Sequence, residues 1–574
     1  MTTTSPPTTI AVPSELLERA VQESPDGLFL QDVRGERQSY AEFHRSALRW
    51  ASVLHREGAR KGGRVATLLL NSSAAFHVLL GCGYAGAVKV PINPDLVGAT
   101  LQHALRVGDP EVVICGAAFL PALLDALPAR DRIQRVIVVG EPREWTTSRA
   151  DVELSSADAL LAAAEPVSRP HPRPEQPAVV IFTSGTTGPA KGVVKPWSDL
   201  VRFAQDWWCS EPSGAYQDGA YYQLWPTFHM SGTSGLSVAL SFGLRLVIRE
   251  KFSLSSFWSD IRNYGITHAG LVYVAPLVMG APERPDDRDN PLQVAQICPI
   301  ATYNTSFKER FGVRTVSTGW GMTEAGQPIG IVDPVKERTC GRPLPGVDVK
   351  LVTEEGIPVS GPGRGELWIR RTSDRANGEY LARPDATAET WLKNGWVRTG
   401  DCFARDEDGD LFFVDRMNDH IRRLGHNIAA SEVENGVLTH PDVVECACVG
   451  VVPQAEAAAI VVNGERLNAV EDEDVKIVVV ARRDARLSAP ALIEHLTTVL
   501  PAYMIPRFIE LVDALPKNAT GKVLKRDLKG LRNAWDASEW LSERRQKGHS
   551  VASEVTVNPL PRVGLGSERH DCGG

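Results

Sequence analysis

The stretch FTSGTTGPAKGVV, Phe182 to Val194, concentrates hydroxyl side chains and glycines ahead of one lysine, Lys191. The apolar run AVVIF leads into it, so a strand would deliver a turn whose backbone N–H groups and hydroxyls can face an anion. The residues available for that are Thr183, Ser184, Gly185, Thr186, Thr187 and Gly188, with Lys191 adding charge. A Walker loop needs Gly-Lys followed by Ser or Thr. Here Ala190 precedes the lysine and Gly192 follows it, which excludes a P-loop NTPase. The residues by themselves leave two readings open: a phosphate cradle, or a plain strand-to-strand turn built from the usual turn residues. A literal GxGxxG at GCGYAG, Gly81 to Gly86, closes a helical pattern and follows no strand, so it lacks the strand, turn and helix order of a dinucleotide fingerprint.

Further along, isolated ionisable residues sit in short glycine-bearing strings. His229 lies in WPTFHMSG, Glu324 in STGWGMTEAG, Asp401 in WVRTGD, Arg416 in DRMNDHIRRLGHNIAASEVE and Lys522 in LPKNATGKVLKR. Each admits a plain reading: a core histidine, a loop carboxylate, a helix cap, a surface arginine, a solvated lysine. Trp207, Trp208 and Tyr273 are aromatic enough to line a pocket or simply to fill a core.

The elements that must position these residues follow from pattern and composition. The 574 residues are 43% hydrophobic, enough for several packed domains. Lys plus Arg number 62 against 70 Asp plus Glu, a net charge of -8, so no basic bias points to nucleic acid and a small molecule is the expected partner. The nine cysteines show no CxxC and no framework spacing, and no run reaches the roughly 18 apolar residues of a membrane span; a cytoplasmic protein is expected. From Gly27 to Ile261, short β-rich runs alternate with helical patterns, as in RVATLLL followed by SAAFHVLLGCGYAGAV, which predicts stacked α/β sheets. Between residues 340 and 415 the texture turns to short strands and glycine turns, suggesting a β-barrel-like subdomain. Past a hinge at 416–419, residues 420–535 read as a small mobile α+β domain. The main domain is then 15–415, with frayed ends at 1–14 and 545–574.

Taken in order, these strings resemble the motifs of the adenylate-forming superfamily: acyl-CoA synthetases, peptide-synthetase adenylation domains and luciferases. The likeness runs from about residue 15 to 530 and is strongest to a standalone acid–CoA ligase. It implies ATP, Mg2+ and coenzyme A as cofactors. FTSGTTGPAKGVV takes the place of the phosphate loop, and Trp320, Gly321, Met322 and Thr323 that of the YGxTE motif, with Trp320 where the tyrosine stands. By resemblance Glu324 ligates Mg2+, Asp401 accepts from ribose hydroxyls, Arg416 lies near ribose and phosphates, and His229 separates the ATP and acyl sites. Lys522 would reach the substrate carboxylate and α-phosphate, Asn418 would be the hinge, and Gly425 would keep the pantetheine channel open.

The match departs in two places. The GGAPL-like segment that packs against adenine is replaced by QVAQICPIATYN, and the Ser/Thr-His after the phosphate loop by Lys195, Pro196 and Trp197. The implied reaction is activation of a small acid as an adenylate with release of pyrophosphate, then transfer to coenzyme A. Transfer to an amine, including activation of nitrite toward an aryl amine, stands as the alternative acceptor chemistry, and an adenylate-binding module without turnover as the alternative of another class.

Overall fold

The computed structural model describes residues 11–541, apart from 128–132, 134, 142–151, 186–187, 208–218, 273, 299–303, 337–338, 354, 372–377, 417–419, 424–425, 453–459, 463–464, 468–472, 483–484, 517–522, 524, 531–533 and 539. The frayed tail expected at 545–574 lies outside these residues, as does most of the expected N-terminal one. Helix Pro13–Glu23 takes in the last two residues of the latter, because Pro13 presets the first helical φ and Glu15 accepts from the Val12 N–H at 3.0 Å.

Two large sheets carry the main body. One has eight strands in the order Glu379–Tyr380, Gly188–Pro196, Pro177–Gly185, Val88–Pro91, Arg64–Leu68, Val112–Gly116, Arg135–Val139 and Glu153–Ser156. It is parallel except at the hairpin end, and its central runs, such as VVIC, are buried on both faces as parallel strands require. The other has nine strands and places Gly326–Val332, Thr315–Met322, Val294–Cys298, His268–Val272 and Ala220–Gln223 side by side.

Helices fill the space between them. Tyr40–Arg56 starts at a capping box in which Ser39 and Glu42 satisfy each other's backbone N–H groups. Ser73–Ala85 is apolar nearly all round and therefore enclosed except at Ala74 and Ala85. Gly81 and Gly83, the middle of the apparent dinucleotide string, sit inside this helix: a Cβ on either would come within 2.8 Å of Trp50 or Trp197, so these glycines permit close packing. Phe43, Phe76 and Trp197 join Val179 and Ile181 of one sheet to Leu246 and Val294 of the other, each such burial contributing about 1.5–3 kcal/mol.

Two smaller units follow. Val347–Val352, Gly363–Arg371, Val397–Arg405 and Leu411–Arg416 form an antiparallel sheet in the glycine-turn stretch, packed on Ile329 through Leu351, Leu367 and Phe403. Beyond it, hairpin His420–Arg423/His426–Ala429 and helices Ala430–Leu438 and Ala489–Val499 cover one face of a sheet ordered Val443–Val451, Asp474–Ala481, Phe508–Val512, Trp535–Asp536. Among the described residues no helix is long and apolar enough to cross a membrane.

Candidate active site

The opening stretch folds as a β-hairpin. Strand Pro177–Gly185 pairs antiparallel with Gly188–Pro196, Thr183 opposite Lys191 and Gly185 opposite Gly188. Thr186 and Thr187, at its tip, lie outside the described residues, and Ser184 is placed by its backbone alone. The hairpin edge is extended by Glu379–Tyr380, with Tyr380 opposite Val193.

This pairing assembles the first group of polar side chains. Glu324 stands in the turn between the paired strands Thr315–Met322 and Gly326–Val332. Its Oε1 accepts from the Tyr380 hydroxyl at 2.9 Å and from Thr183 Oγ1 at 3.4 Å. Lys191 Nζ lies 4.7 Å from the centre of the Tyr380 ring, within cation–π range. The Tyr380 ring is in turn held edge-on by Trp391 at 4.9 Å. The turn itself needs glycine at 321, where a Cβ would approach the Gly326 carbonyl to 2.6 Å.

A second group faces it. Asp401 is almost fully buried in strand Val397–Arg405 rather than at a helix start, and its Oδ2 accepts from the Trp320 indole N–H at 3.1 Å. Trp320 is fixed edge-on against Phe403 at 5.4 Å. The Arg416 backbone is the register partner of Asp401; its side chain is not among those described.

His229 caps the short helix Met230–Thr233, its Nδ1 accepting from the Ser231 N–H at 3.3 Å. The loop before it is pinned by Gln223, whose Nε2 donates to the carbonyls of Trp225 at 2.6 Å and Gly232 at 3.3 Å. Burial pulls the His229 pKa down to about 4, so the ring is neutral at ordinary pH.

One cavity of about 930 Å³ joins the groups, and Thr183, Lys191, His229, Trp320, Gly321, Met322, Thr323, Glu324, Tyr380 and Asp401 line it. The C-terminal unit supplies the opposite wall through His426, Glu432 and Tyr503. His426 stacks on Tyr503 with ring centres 4.0 Å apart, and burial, aided by His229 and Arg423, lowers its pKa to about 4. Burial raises Glu432 to about 7, against the pull of a hydrogen bond from the Ala190 backbone beside the phosphate-loop candidate.

Lys522, Asn418 and Gly425 lie outside the described residues, as do Trp208 and Tyr273. The residues flanking Lys522 are informative all the same. Leu515, Val523 and Leu528 pack with Ala447, Val449 and Phe508, on the sheet face opposite the one that Ile421, Ile428 and Val433 cover. The face turned to the cavity is therefore the hairpin face, and Leu515, Val523 and Leu528 lie on the other.

Tyr380, His426 and Glu432 were not singled out by sequence. Tyr380 carries no local signal: it reaches the site through a two-residue strand after Gly378, where a Cβ would fall 2.3 Å from the Trp391 ring. His426 and Glu432 stood inside the quoted DRMNDHIRRLGHNIAASEVE string, but only the fold turns them to the cavity.

Residues 17–374 match the AMP-binding enzyme family, and residues 432–522 match the AMP-binding enzyme C-terminal domain. The chain is 29% identical over 507 residues to a crotonobetaine/carnitine–CoA ligase of Citrobacter koseri, covering 86% of this chain and 93% of that protein. It is 29% identical over 504 residues to the Salmonella typhi protein of the same name, with 86% and 93% covered. Among solved structures, o-succinylbenzoate CoA synthetase from Bacillus subtilis superposes with a TM-score of 0.75 at 22% identity, covering 90% of this chain and 98% of that one. An amide bond synthetase from Marinactinospora thermotolerans gives 0.74 at 22% identity, with 90% and 99% covered. At such identities the two structures speak to the fold alone.

Proposed function

The chain belongs to the AMP-binding enzyme family, and from that premise we propose that it activates a small acid with ATP, releases pyrophosphate, and passes the acyl group from the adenylate to coenzyme A. The observation that carries this reading is the pairing of two polar groups across one cavity: Glu324 with Thr183, Tyr380 and Lys191, facing Asp401 with Trp320.

A carboxylate is a poor electrophile because its leaving group would be oxide. Attack of its oxygen on the α-phosphorus of ATP forms a P–O bond, breaks the bond to the β-phosphate oxygen and leaves pyrophosphate. The thiolate of coenzyme A then attacks the acyl carbon and expels AMP. Little covalent work falls to the protein, so positioning and charge stabilisation dominate.

Each residue has a role in that scheme. Thr183, Ser184, Gly185, Thr186, Thr187, Gly188 and Lys191 would hold the β- and γ-phosphates. Asp401 would accept from the ribose hydroxyls, with Arg416 near the ribose and phosphates; Trp320 to Thr323 would border the nucleotide. The oxygen-only set of the Glu324 carboxylate and Thr183 hydroxyl fits Mg2+, which neutralises phosphate charge when bound. His229, neutral and anchored, would separate nucleotide from acid. Lys522 would stabilise charge at the α-phosphate during activation. The second step would use the hairpin face now turned to the cavity, reached by rotation at Asn418, with Gly425 beside the pantetheine arm. The cytoplasm is the proposed compartment, and the seven described cysteines are all free thiols.

The acid–CoA ligase reading is favoured over an amine acceptor by the two relatives at 29% identity, both named CoA ligases. A product assay over a panel of acids tests it: pyrophosphate should appear with acid and ATP, and thioester only when coenzyme A is added. Turnover that ignores coenzyme A and needs an amine would refute the acceptor. No acid-dependent exchange of pyrophosphate into ATP would refute activation itself.

A further inference from the structure

At the inner end of the cavity the strands His268–Val272, Val294–Cys298, Thr315–Met322 and Gly326–Val332 lie side by side, and Val272, Cys298, Gly319 and Gln327 face the space. Gln327 is 1% exposed, and its Oε1 has no hydrogen-bond partner among the described residues. Its Nε2 lies 2.7 Å from where a Cβ on Gly319 would stand, so the carboxamide occupies the room that this glycine leaves.

Two residues earlier on the neighbouring strands the same character continues. Gln296 is the register partner of Gly270 on one side and Ser317 on the other, directly beneath Cys298 and Gly319. Gln296 is fully buried, and among the described residues neither its carboxamide atoms nor Ser317 Oγ has a hydrogen-bond partner. Buried polar groups in folded proteins are almost always paired with protein, water or ligand; here Gln327 lines the cavity, and Gln296 and Ser317 lie behind its wall on the strands of Cys298 and Gly319. Phe203, Trp225 and Met230 add apolar lining to the same cavity. A charged substituent placed there would meet no counter-ion among these residues, and a plain hydrocarbon would leave the amides unpaired.

We propose that the acid carries an uncharged hydrogen-bonding group, a hydroxyl, oxo or carbamoyl, at the end remote from its carboxylate, and that Gln327 reads it, backed by Gln296 and Ser317. The inference rests on the acid-activation reading above and narrows its substrate class. Gln327 follows directly on the GWGMTEAG string, so the turn that places Glu324 also places the residue that selects the acid.

The test is pyrophosphate release by the full chain with size-matched pairs: benzoate against 3- and 4-hydroxybenzoate, and pentanoate against 5-hydroxypentanoate and 5-oxopentanoate. A site built to hydrogen-bond a substituent discriminates strongly against the analogue lacking it, so kcat/KM for the better polar member should exceed that of its plain partner on the order of 100-fold. Gln327→Leu should bring the ratio to within about threefold of unity by raising KM for the polar member. The wild-type ratio stands whether or not that variant folds. Equal use of plain and polar acids, or a Gln327→Leu protein with the wild-type melting temperature and an unchanged ratio, overturns the inference. Release with no acid at all strikes the activation reading instead, and this inference with it.

Discussion

On the N-terminal wall of the cavity Glu324 and Asp401 are met by donors, whereas on the C-terminal wall burial keeps His426 and Glu432 neutral. Glu324 takes hydroxyls from Tyr380 and Thr183, and Asp401 takes the Trp320 indole N–H, each donor arriving from a different strand or turn of packed sheets. Opposite them, burial holds His426 neutral down to about 4 and Glu432 protonated up to about 7. A wall that must hold a charged nucleotide benefits from acids oriented in advance, since reorganisation is then already done. If the C-terminal wall leaves and returns, as the proposed rotation requires, a neutral His426 and Glu432 spare each docking the cost of stripping water from an ion. The difference separates a half-site of oriented acids from one of neutral side chains.

The largest effect should come from outside both walls. If the hairpin face serves thioester formation and the lysine face serves activation, Lys522→Ala should lower acid-dependent pyrophosphate exchange by about 100- to 1,000-fold, the scale of losing one positioned charge donor. Thioester formation from supplied acyl-adenylate should stay within about threefold, since the described face does not use it. Equal losses in both half-reactions, with the melting temperature unchanged, would erase the distinction between the two faces.

Within the N-terminal wall, Glu324→Gln keeps the shape and the Tyr380 contact but removes the charge. Its kcat/KM for ATP should fall roughly 30-fold, with the Mg2+ titration shifted to higher concentration, as expected when a hard anionic ligand is replaced by an amide. An unshifted titration would make Glu324 a partner of Tyr380 and nothing more. Asp401→Ala should act less, raising KM for ATP about tenfold with kcat nearly kept, because the contact assigned to it is uniform binding and not transition-state stabilisation.

How much of this was legible beforehand differs between the walls for a physical reason. Thr183, Glu324 and Asp401 sit in strings whose glycines and hydroxyls mark turns, so local chemistry advertises them. The alternation of RVATLLL and SAAFHVLLGCGYAGAV gave the parallel strand and buried helix at Arg64–Leu68 and Ser73–Ala85 for the same reason. Tyr380 is different: it reaches Glu324, 56 positions away, only because a two-residue strand adds to the hairpin edge. The buried amides of Gln296 and Gln327 were equally hidden, since a strand glutamine looks alike in sequence whether it is solvated or enclosed. Contacts made by register across a sheet leave no trace in local composition.

The smallest effect tests the C-terminal wall itself. Glu432 has a raised pKa when docked, so its favourable contribution to docking is full below the ordinary carboxylate value of 4.5 and is lost as the pH rises through about 7. His229 and His426 act with the opposite sign: lowered from 6.5 to about 4, their contribution is full above 6.5 and fades as the pH falls toward 4. The two trends overlap near neutrality and partly cancel in the wild-type profile. Glu432→Gln removes one of them, since the amide stays neutral at every pH. The ratio of variant to wild type in thioester formation should therefore rise roughly threefold between about pH 6.5 and 7.5, the histidine contributions dividing out. A flat ratio would mean that Glu432 is not enclosed during that step, and that the hairpin face docks differently when coenzyme A reacts.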